Sequence, residues 1–129
     1  MRIGELAKAT ATKAETIRYY EREGLLPPPD RTDANYRDYG PEHRARLSFI
    51  RRSRELGFRL GDVRDLLALA DDTSQPCDQV DQIASAHLEE VERKLADLKV
   101  MRDELTRMIG SCRQGTVGDC LIVEALGQR

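Results

Sequence analysis

The sequence predicts a mainly α-helical chain: a winged helix-turn-helix domain, then a long dimerising coiled-coil helix, then a C-terminal loop that contains two cysteines. Three observations predict this fold. Two short amphipathic segments near the N-terminus are separated by only three residues, Thr10 to Thr12. A polar segment after three consecutive prolines has the pattern of a two-stranded ribbon. Apolar residues then recur every three or four positions from Val80 to Met108.

Composition indicates two parts with different partners. The chain has 129 residues, of which 34% are charged. Residues 1–70 hold 14 Lys and Arg against 11 Asp and Glu, a net charge of +3, whereas residues 71–129 hold 7 against 12, a net charge of −5. No apolar run approaches the roughly 18 residues of a membrane span, and the first residues lack the apolar core of a signal peptide. We therefore expect a cytoplasmic protein with no membrane partner.

The N-terminal segments predict two helices joined by a tight turn. Ile3, Leu6 and Ala7 have helical spacing, and Ile17 and Tyr20 continue an apolar face in the second helix. The pattern Thr12-Lys13-Ala14-Glu15 is typical of a capping box at the start of that helix. Gly24 is expected to end it. Two short helices with so short a connection are typical of a helix-turn-helix.

The next segment predicts a wing and two further helices. Pro27 to Pro29 exclude helix, and the turn-forming residues after them lead to an alternating strand over residues 36–39. Pro41 is expected at the first position of a third helix that Gly57 ends. A fourth helix is expected from Leu60 to Leu69. The apolar positions expected to bury the third helix are Ala45, Leu47, Phe49, Ile50 and Leu56.

The long apolar stripe predicts a homodimer. It consists of Val80, Ala84, Leu88, Val91, Leu95, Leu98, Met101, Leu105 and Met108. One narrow stripe of about four heptads needs a partner helix, and a two-fold coiled coil supplies it most simply. The expected division is a DNA-binding domain over 1–70, a linker and helix start with Cys77 over 71–79, the dimerisation helix over 80–110 ended by Gly110, and a loop with a short helix over 111–129.

The second helix and the ribbon carry the candidate DNA contacts. A helix after a tight turn suits insertion into a major groove, where its early residues face base edges and its basic and hydroxyl groups hold phosphates. Tyr20 is expected to be half core. The candidate contacts are Lys13, Thr16, Arg18, Tyr19 and Tyr20 on the helix and Arg31, Tyr36 and Arg37 on the ribbon.

The three cysteines lie at the two ends of the long helix. Cys77 and Cys112 are 35 residues apart, about 50 Å of helix, so they share a metal only if an antiparallel partner brings the ends together. Such a site takes Cys112 and Cys120 from one chain and Cys77 from the partner subunit, once per subunit. Thiolates select soft or borderline ions such as Zn²⁺, Cd²⁺, Pb²⁺, Hg²⁺ or Cu⁺. Asp119 and His87 are candidate auxiliary ligands. Spacing alone leaves three buried structural thiols as an alternative.

Several strings in this sequence closely resemble the MerR family of bacterial transcription regulators. They are Ile3-Gly4-Glu5-Leu6-Ala7, Glu15-Thr16-Ile17-Arg18-Tyr19-Tyr20-Glu21, Gly24-Leu25-Leu26, Asn35-Tyr36-Arg37 and Leu56-Gly57-Phe58. The resemblance covers nearly the whole chain. It implies an antiparallel coiled-coil homodimer on palindromic double-stranded promoter DNA, with an effector site at the C-terminus. It also implies activation of RNA polymerase through distortion of a promoter whose −35 and −10 elements are too far apart.

The resemblance also narrows the effector. Members of the family that sense monovalent copper, silver or gold generally have Ser where Cys77 stands, so Cys77 is typical of the branch that senses cadmium, lead, mercury and zinc. Arg113 stands where zinc sensors tend to have a second Cys, and zinc prefers four ligands. Three thiols therefore suit mercury, lead or cadmium better. The resemblance implies control of heavy-metal resistance or efflux genes.

Two other classes of function compete with metal sensing. A thiol-redox regulator of the same fold would oxidise Cys112 and Cys120 to a disulfide. An enzyme would use one of these cysteines as a nucleophile, but only His43 and His87 are available as imidazole bases and neither neighbours a cysteine. We therefore expect no catalytic activity.

Overall fold

The computed structural model describes residues 1–111 and 115–127 of the chain. It divides into two compact units, Met1–Val80 and Asp81–Arg129. Mainly helical structure is confirmed, with one small sheet of two strands in the part of the chain that is described. No helix there combines the length and the apolar character that a bilayer crossing needs.

The first two helices form the predicted helix-turn-helix. Helix α1 spans Ile3–Thr10 and α2 spans Ala14–Arg22. Ala11 takes a left-handed conformation (φ 49°) at the end of α1. The predicted capping box is wrong, because α2 begins two residues after Thr12 and the Thr12 hydroxyl donates instead to the Thr10 carbonyl oxygen at 3.1 Å. Gly24, with φ +76°, follows the end of α2 as predicted.

The predicted wing is an antiparallel ribbon. Strand β1 spans Asp30–Arg31 and pairs with β2, Arg37–Asp38, with Arg31 opposite Arg37. Its loop is closed by the Thr32 amide, which donates to the Tyr36 carbonyl oxygen at 2.8 Å. The Tyr39 amide donates to the Met1 carbonyl oxygen at 2.8 Å, so the ribbon is held beside the start of α1.

Helices α3 (Pro41–Glu55) and α4 (Leu60–Ala70) complete the first unit. Pro41 occupies the first turn of α3 and Gly57 (φ +87°) follows its end, both as predicted. The buried apolar core of this unit consists of Leu6, Ile17, Leu25, Leu26, Tyr39, Leu47, Ile50, Val63 and Leu67. Elements from α1 to α4 contribute to it, so α2 and the ribbon are fixed on one common core.

The buried face of α3 differs from the predicted one. Leu47 and Ile50 are buried, but Ala45, Phe49 and Leu56 are exposed, and His43 and Ser53 take the remaining inward positions. His43 is only 2% exposed. Its Nδ1 accepts from the Gly40 amide at 3.0 Å and its Nε2 lies 3.0 Å from the Pro27 carbonyl oxygen. A polar ring is tolerated there because both ring nitrogens have partners.

Helix α5 is a continuous helix of 34 residues, Asp78–Ser111. It ends one residue after Gly110, so the predicted helix end agrees with the structure to within the usual uncertainty of a helix boundary. Farther along the chain are a 3₁₀ turn, Val117–Asp119, and the predicted short final helix α6, Leu121–Gly127. Most of the apolar stripe of α5 is exposed.

Candidate nucleic-acid interface and effector site

A groove between α2 and the ribbon gathers four arginines. This ribbon groove has a volume of about 350 Å³ and is lined by Arg2, Ile3, Arg18, Arg31, Asn35, Tyr36 and Arg37. Four of the predicted DNA contacts, from α2 and from both sides of the ribbon, therefore lie together. No carboxylate is among these lining residues, so the positive potential of the arginines favours the binding of an anion in the groove.

Contacts within the ribbon groove hold its cations in place. The guanidinium carbon of Arg2 lies 4.0 Å from the centre of the Tyr36 ring, within the range of a cation–π interaction. Arg31 donates to the Asn35 carbonyl oxygen at 3.2 Å. Both contacts leave donor atoms of each guanidinium for a ligand, because the group has five N–H donors.

A half-buried carboxylate, that of Glu21, lies next to Arg37 of the groove. Glu21 Oε1 lies 3.8 Å from Arg37 Nε, an ion-pair distance that is too long for a hydrogen bond. The Tyr39 hydroxyl donates to Glu21 Oε2 at 3.2 Å. Burial of Tyr39, together with the neighbouring Glu21 charge, raises the pKa of the Tyr39 hydroxyl above its ordinary value. Glu21 thus links the end of α2 to both residues that flank Asp38 in the ribbon.

A second groove lies on the other side of α2. This helix groove has a volume of about 560 Å³ and is lined by Ala11, Thr12, Lys13, Thr16, Tyr20, Leu47, Arg51, Arg54 and Glu55. It contains three further predicted contacts: Lys13, Thr16 and Tyr20. Arg51 is paired with Glu55 at 3.1 Å and Arg54 donates to the Phe58 carbonyl oxygen at 2.8 Å.

The two adjacent tyrosines of α2 differ in burial. Tyr20 is half-buried and packs against the core, as the sequence predicts, whereas Tyr19 is exposed. Their ring centres are 6.0 Å apart. The predicted contacts are thus divided between the two grooves, except for Tyr19, which lines neither of them.

Arg2 and Asn35 were not among the predicted contacts. Arg2 precedes α1 and has no neighbour in the sequence that marks it as functional. It reaches the groove because the Met1 carbonyl oxygen accepts from Tyr39 at the end of the ribbon. For Asn35 a signal exists: its left-handed φ of 65° is typical of Asn in a tight turn.

The structure describes two of the three cysteines, Cys77 and Cys120. Cys77 is exposed, directly before α5, and Cys120 is half-buried between the 3₁₀ turn and α6. His87 is half-buried on α5. Cys112 and the side chain of Asp119 lie outside the described residues. Within those residues of this single chain, no group of three or more Cys, His, Asp or Glu is placed to hold a metal ion. The three-cysteine site stays a prediction.

Comparison with models of known protein families shows which family the chain belongs to. Residues 1–70 match the model of the MerR HTH family regulatory proteins, and residues 44–108 match a second model, described as MerR, DNA binding. The chain belongs to the MerR family. The predicted family and fold are thereby confirmed, and the chain is grouped with transcription regulators rather than with enzymes.

Individual MerR-family relatives match over nearly the whole chain. Heavy metal-dependent transcription regulator 2 of Rhizobium meliloti is 39% identical over 126 residues, which are 98% of this chain and 86% of that protein. The crystal structure of the transcription regulator PbrR691 from Ralstonia metallidurans in complex with lead(II) is 39% identical, with a TM-score of 0.82, over 98% of this chain and 99% of that one. The transcriptional regulator MerR from Bacillus megaterium in complex with mercury(II) is 34% identical, with a TM-score of 0.73, over 99% and 100% of the two chains.

Proposed function

We propose that this MerR-family chain is a metal-responsive activator of heavy-metal resistance or efflux genes. It binds a palindromic promoter operator as a homodimer in the cytoplasm. A soft divalent ion, Cd²⁺, Pb²⁺, Hg²⁺ or Zn²⁺, then changes the DNA geometry that RNA polymerase meets. One observation carries the proposal: α5 begins directly after Cys77 and ends directly before Cys112, and its apolar stripe is uncovered.

The uncovered stripe supports the homodimer. Its large residues Val80, Leu88, Leu95, Leu98, Met101 and Leu105 are between 39% and 60% exposed. An exposed apolar row of this length costs about 25 cal/mol for each Å² left in water, and a second copy of the helix removes that cost. An antiparallel pair sets the start of one helix against the end of the other.

The antiparallel pair also supports the shared metal site. A helix of 34 residues is about 51 Å long, so the thiol before it and the thiol after it reach one ion only across two chains. Cys112 and Cys120 of one chain and Cys77 of the partner subunit provide three thiolates per site, with Asp119 and His87 as auxiliary candidates. The bound ion supplies a bridge between the two subunits. Relatives that carry lead and mercury favour this class of ion.

The two grooves beside α2 support the DNA contacts. In the proposal, Arg18, Arg31, Tyr36 and Arg37 hold the phosphate backbone through the ribbon groove. Lys13, Thr16, Tyr19 and Tyr20 lie along α2, which enters the major groove. Because phosphate contacts fix register and base contacts fix sequence, the ribbon sets affinity and the early residues of α2 set operator choice.

A subunit-mixing experiment tests the shared site. Cys77→Ser and the double variant Cys112→Ser/Cys120→Ser each lack part of every site in their own homodimers. A mixed dimer has one intact intersubunit site. We expect neither parent to bind Cd²⁺ or Hg²⁺ tightly. The verified mixture is expected to regain one site per heterodimer, while operator binding is unchanged. A verified mixture with no regained binding contradicts the shared site.

Thiol titration separates metal sensing from redox sensing. Metal sensing predicts that Cd²⁺ or Hg²⁺ protects three thiols per subunit of the reduced protein. A redox sensor instead loses two thiols on mild oxidation and gains little protection from metal. A reporter induced by a panel of metals then identifies the cognate ion.

A further inference from the structure

The side chain of Arg46 joins two distant parts of the first unit. Arg46 lies on α3 with its side chain 24% exposed. Its Nε donates to the Leu25 carbonyl oxygen at 2.7 Å. Its Nη1 donates to both carboxylate oxygens of Asp71, at 3.0 and 3.1 Å. One guanidinium therefore bridges segments that are 46 residues apart in the chain.

Leu25 is rigidly attached to the end of α2. It is buried in the core, and its amide donates to the Tyr20 carbonyl oxygen at 2.9 Å. The Leu26 amide donates to the same oxygen at 3.3 Å. A displacement of the Leu25 backbone is therefore carried directly to the last turn of the helix that lies between the two grooves.

Asp71 belongs to the segment that leads to Cys77. Its amide donates to the Leu67 carbonyl oxygen at 3.0 Å, which ends α4. The next residue builds a compact turn: Asp72 accepts from the Ser74 amide at 3.2 Å and from the Gln75 side chain at 3.1 Å. The hydrogen bond from the Ser74 hydroxyl, at 2.5 Å, and those from the Gln75 side chain and the Ser74 amide lower the pKa of the Asp72 carboxyl. Residues 72–75, shortly before Cys77, therefore form a hydrogen-bonded turn rather than a flexible linker.

A second ion pair connects the same elements. Arg64 on α4 lies 3.6 Å from the carboxylate of Glu23, the residue directly after α2. Both side chains are about half exposed, so this pair contributes little energy. Asp71 is also exposed, at 59% of its side chain, so its ion pair with Arg46 is weak by itself. Arg46 differs because its planar guanidinium also donates to the carbonyl oxygen of a buried residue, Leu25.

We propose that Arg46 is a positioning residue that couples the turn before Cys77 to the end of α2, where Glu21 contacts Arg37 and Tyr39 of the ribbon. A shift of the Asp71 carboxylate displaces the Arg46 guanidinium, and this displacement moves the Leu25 carbonyl group. The inference rests on the proposed function only for the source of that change, a metal at Cys77. The coupling itself exists in the metal-free chain. Lysine cannot replace Arg46, because one ammonium does not reproduce the two-sided fork.

Amide hydrogen exchange of the full-length, metal-free protein tests the coupling. Asp71→Ala releases one side of the bridge and leaves the Arg46 contact to Leu25 in place. We expect peptides over residues 23–39 to exchange about three- to tenfold faster, together with residues 71–77. Asp71→Glu keeps a carboxylate and is expected to restore slow exchange. Glu55→Ala is the matched control, because it removes an equally exposed partner of Arg51 within α3.

Three results overturn the coupling. Unchanged exchange over 23–39 in Asp71→Ala is the first. A uniform rise over residues 1–70 is the second, because it indicates a general loss of stability. An equal rise in Glu55→Ala is the third, because it shows that any lost ion pair suffices.

Addition of Cd²⁺ to the same proteins separates this inference from the proposed function. We expect Cd²⁺ to alter exchange over 23–39 in the wild type and to alter it at least about threefold less in Asp71→Ala, with the same thiol protection in both. A wild type that binds no Cd²⁺ contradicts the proposed function, while the metal-free comparison still decides the coupling. Equal Cd²⁺ responses in both proteins overturn the coupling.

Discussion

The guanidinium of Arg2 stacks on the ring of Tyr36, 4.0 Å from its centre, and so joins the residue before α1 to the loop of the ribbon. The contact orients one cation of the ribbon groove while the ring itself stays more than half exposed. An ordered cation binds a phosphate at a smaller entropic cost than a mobile one, because its rotamer is already fixed.

Tyr36→Ala is therefore expected to weaken operator binding more than Tyr36→Phe. Loss of the ring removes a cation–π contact of about 0.5–1 kcal/mol at an exposed site, which corresponds to a two- to fivefold change in affinity. Phenylalanine keeps the ring and loses only the hydroxyl. Fluorescence anisotropy with a labelled operator measures both variants. Equal losses would show that the hydroxyl, not the ring, carries the effect.

Arg18→Ala is expected to weaken operator binding about tenfold or more, because a charged hydrogen bond is worth about 1.5–3 kcal/mol. If Arg18 holds a phosphate, the slope of log affinity against log salt falls by about 0.9 for each subunit. Titrations at several salt concentrations measure both quantities. Arg93→Ala, which removes the same charge from α5, is the control. The role assigned to Arg18 fails if the two variants have the same slope.

Leu98→Asp is expected to dissociate the homodimer, with a dissociation constant raised about 100-fold or more, because an unpaired charge on a buried stripe costs several kcal/mol. Val100 provides a matched control on the same helix. It is 68% exposed and lies on the face opposite the stripe, so Val100→Asp is expected to leave the dimer intact. Sedimentation velocity at micromolar concentration compares the two. A Leu98→Asp protein that sediments as a stable dimer refutes the proposed interface.

The buried hydroxyl of Tyr39 predicts a loss of stability in alkali. Burial and Glu21 raise the pKa of Tyr39 in the folded protein, so the neutral form is favoured by folding. The stability that this hydroxyl contributes is fully present below about pH 10, the ordinary pKa of tyrosine. It is lost as the pH rises through the higher pKa of Tyr39 in the folded protein. We expect the wild type to be about 1 kcal/mol more stable than Tyr39→Phe at pH 7, and this advantage to shrink above pH 10. Urea unfolding at a series of pH values checks it, with Tyr36→Phe as the exposed control. An advantage that does not change with pH rules out the mechanism.

Local sequence signals were sufficient for most helix ends and for the ribbon. Gly24 and Gly57 have positive φ directly after α2 and α3, and Pro41 stands in the first turn of α3. Each of these residues has a backbone preference that acts within three or four positions, and such preferences can be read from one sequence. The Thr12 capping box failed because α2 begins at Ala14, after Lys13, so Thr12 lies one residue before the capping position.

The face of α3 was harder to predict, because apolar character alone misplaces it. His43 is buried since Gly40 and Pro27 supply partners for both ring nitrogens. Neither partner can be recognised before the tertiary structure is known. Phe49 and Leu56, in contrast, are exposed although they are apolar. The contacts of Arg2 and Arg46 also cannot be predicted from a sequence pattern, because they join segments that are distant in the chain.

The exposed apolar stripe restricts the lengths of insertions and deletions that α5 can accept. A helix turns about 100° per residue, so two residues inserted after Val91 would rotate the later stripe by about 200°, onto the face that Val100 occupies. Seven inserted residues would rotate it by about 700°, only 20° short of two full turns, and would add about 10 Å of length. Insertions and deletions within Asp78–Ser111 thus preserve the surface of this helix only in steps close to a heptad, whatever residues they contain.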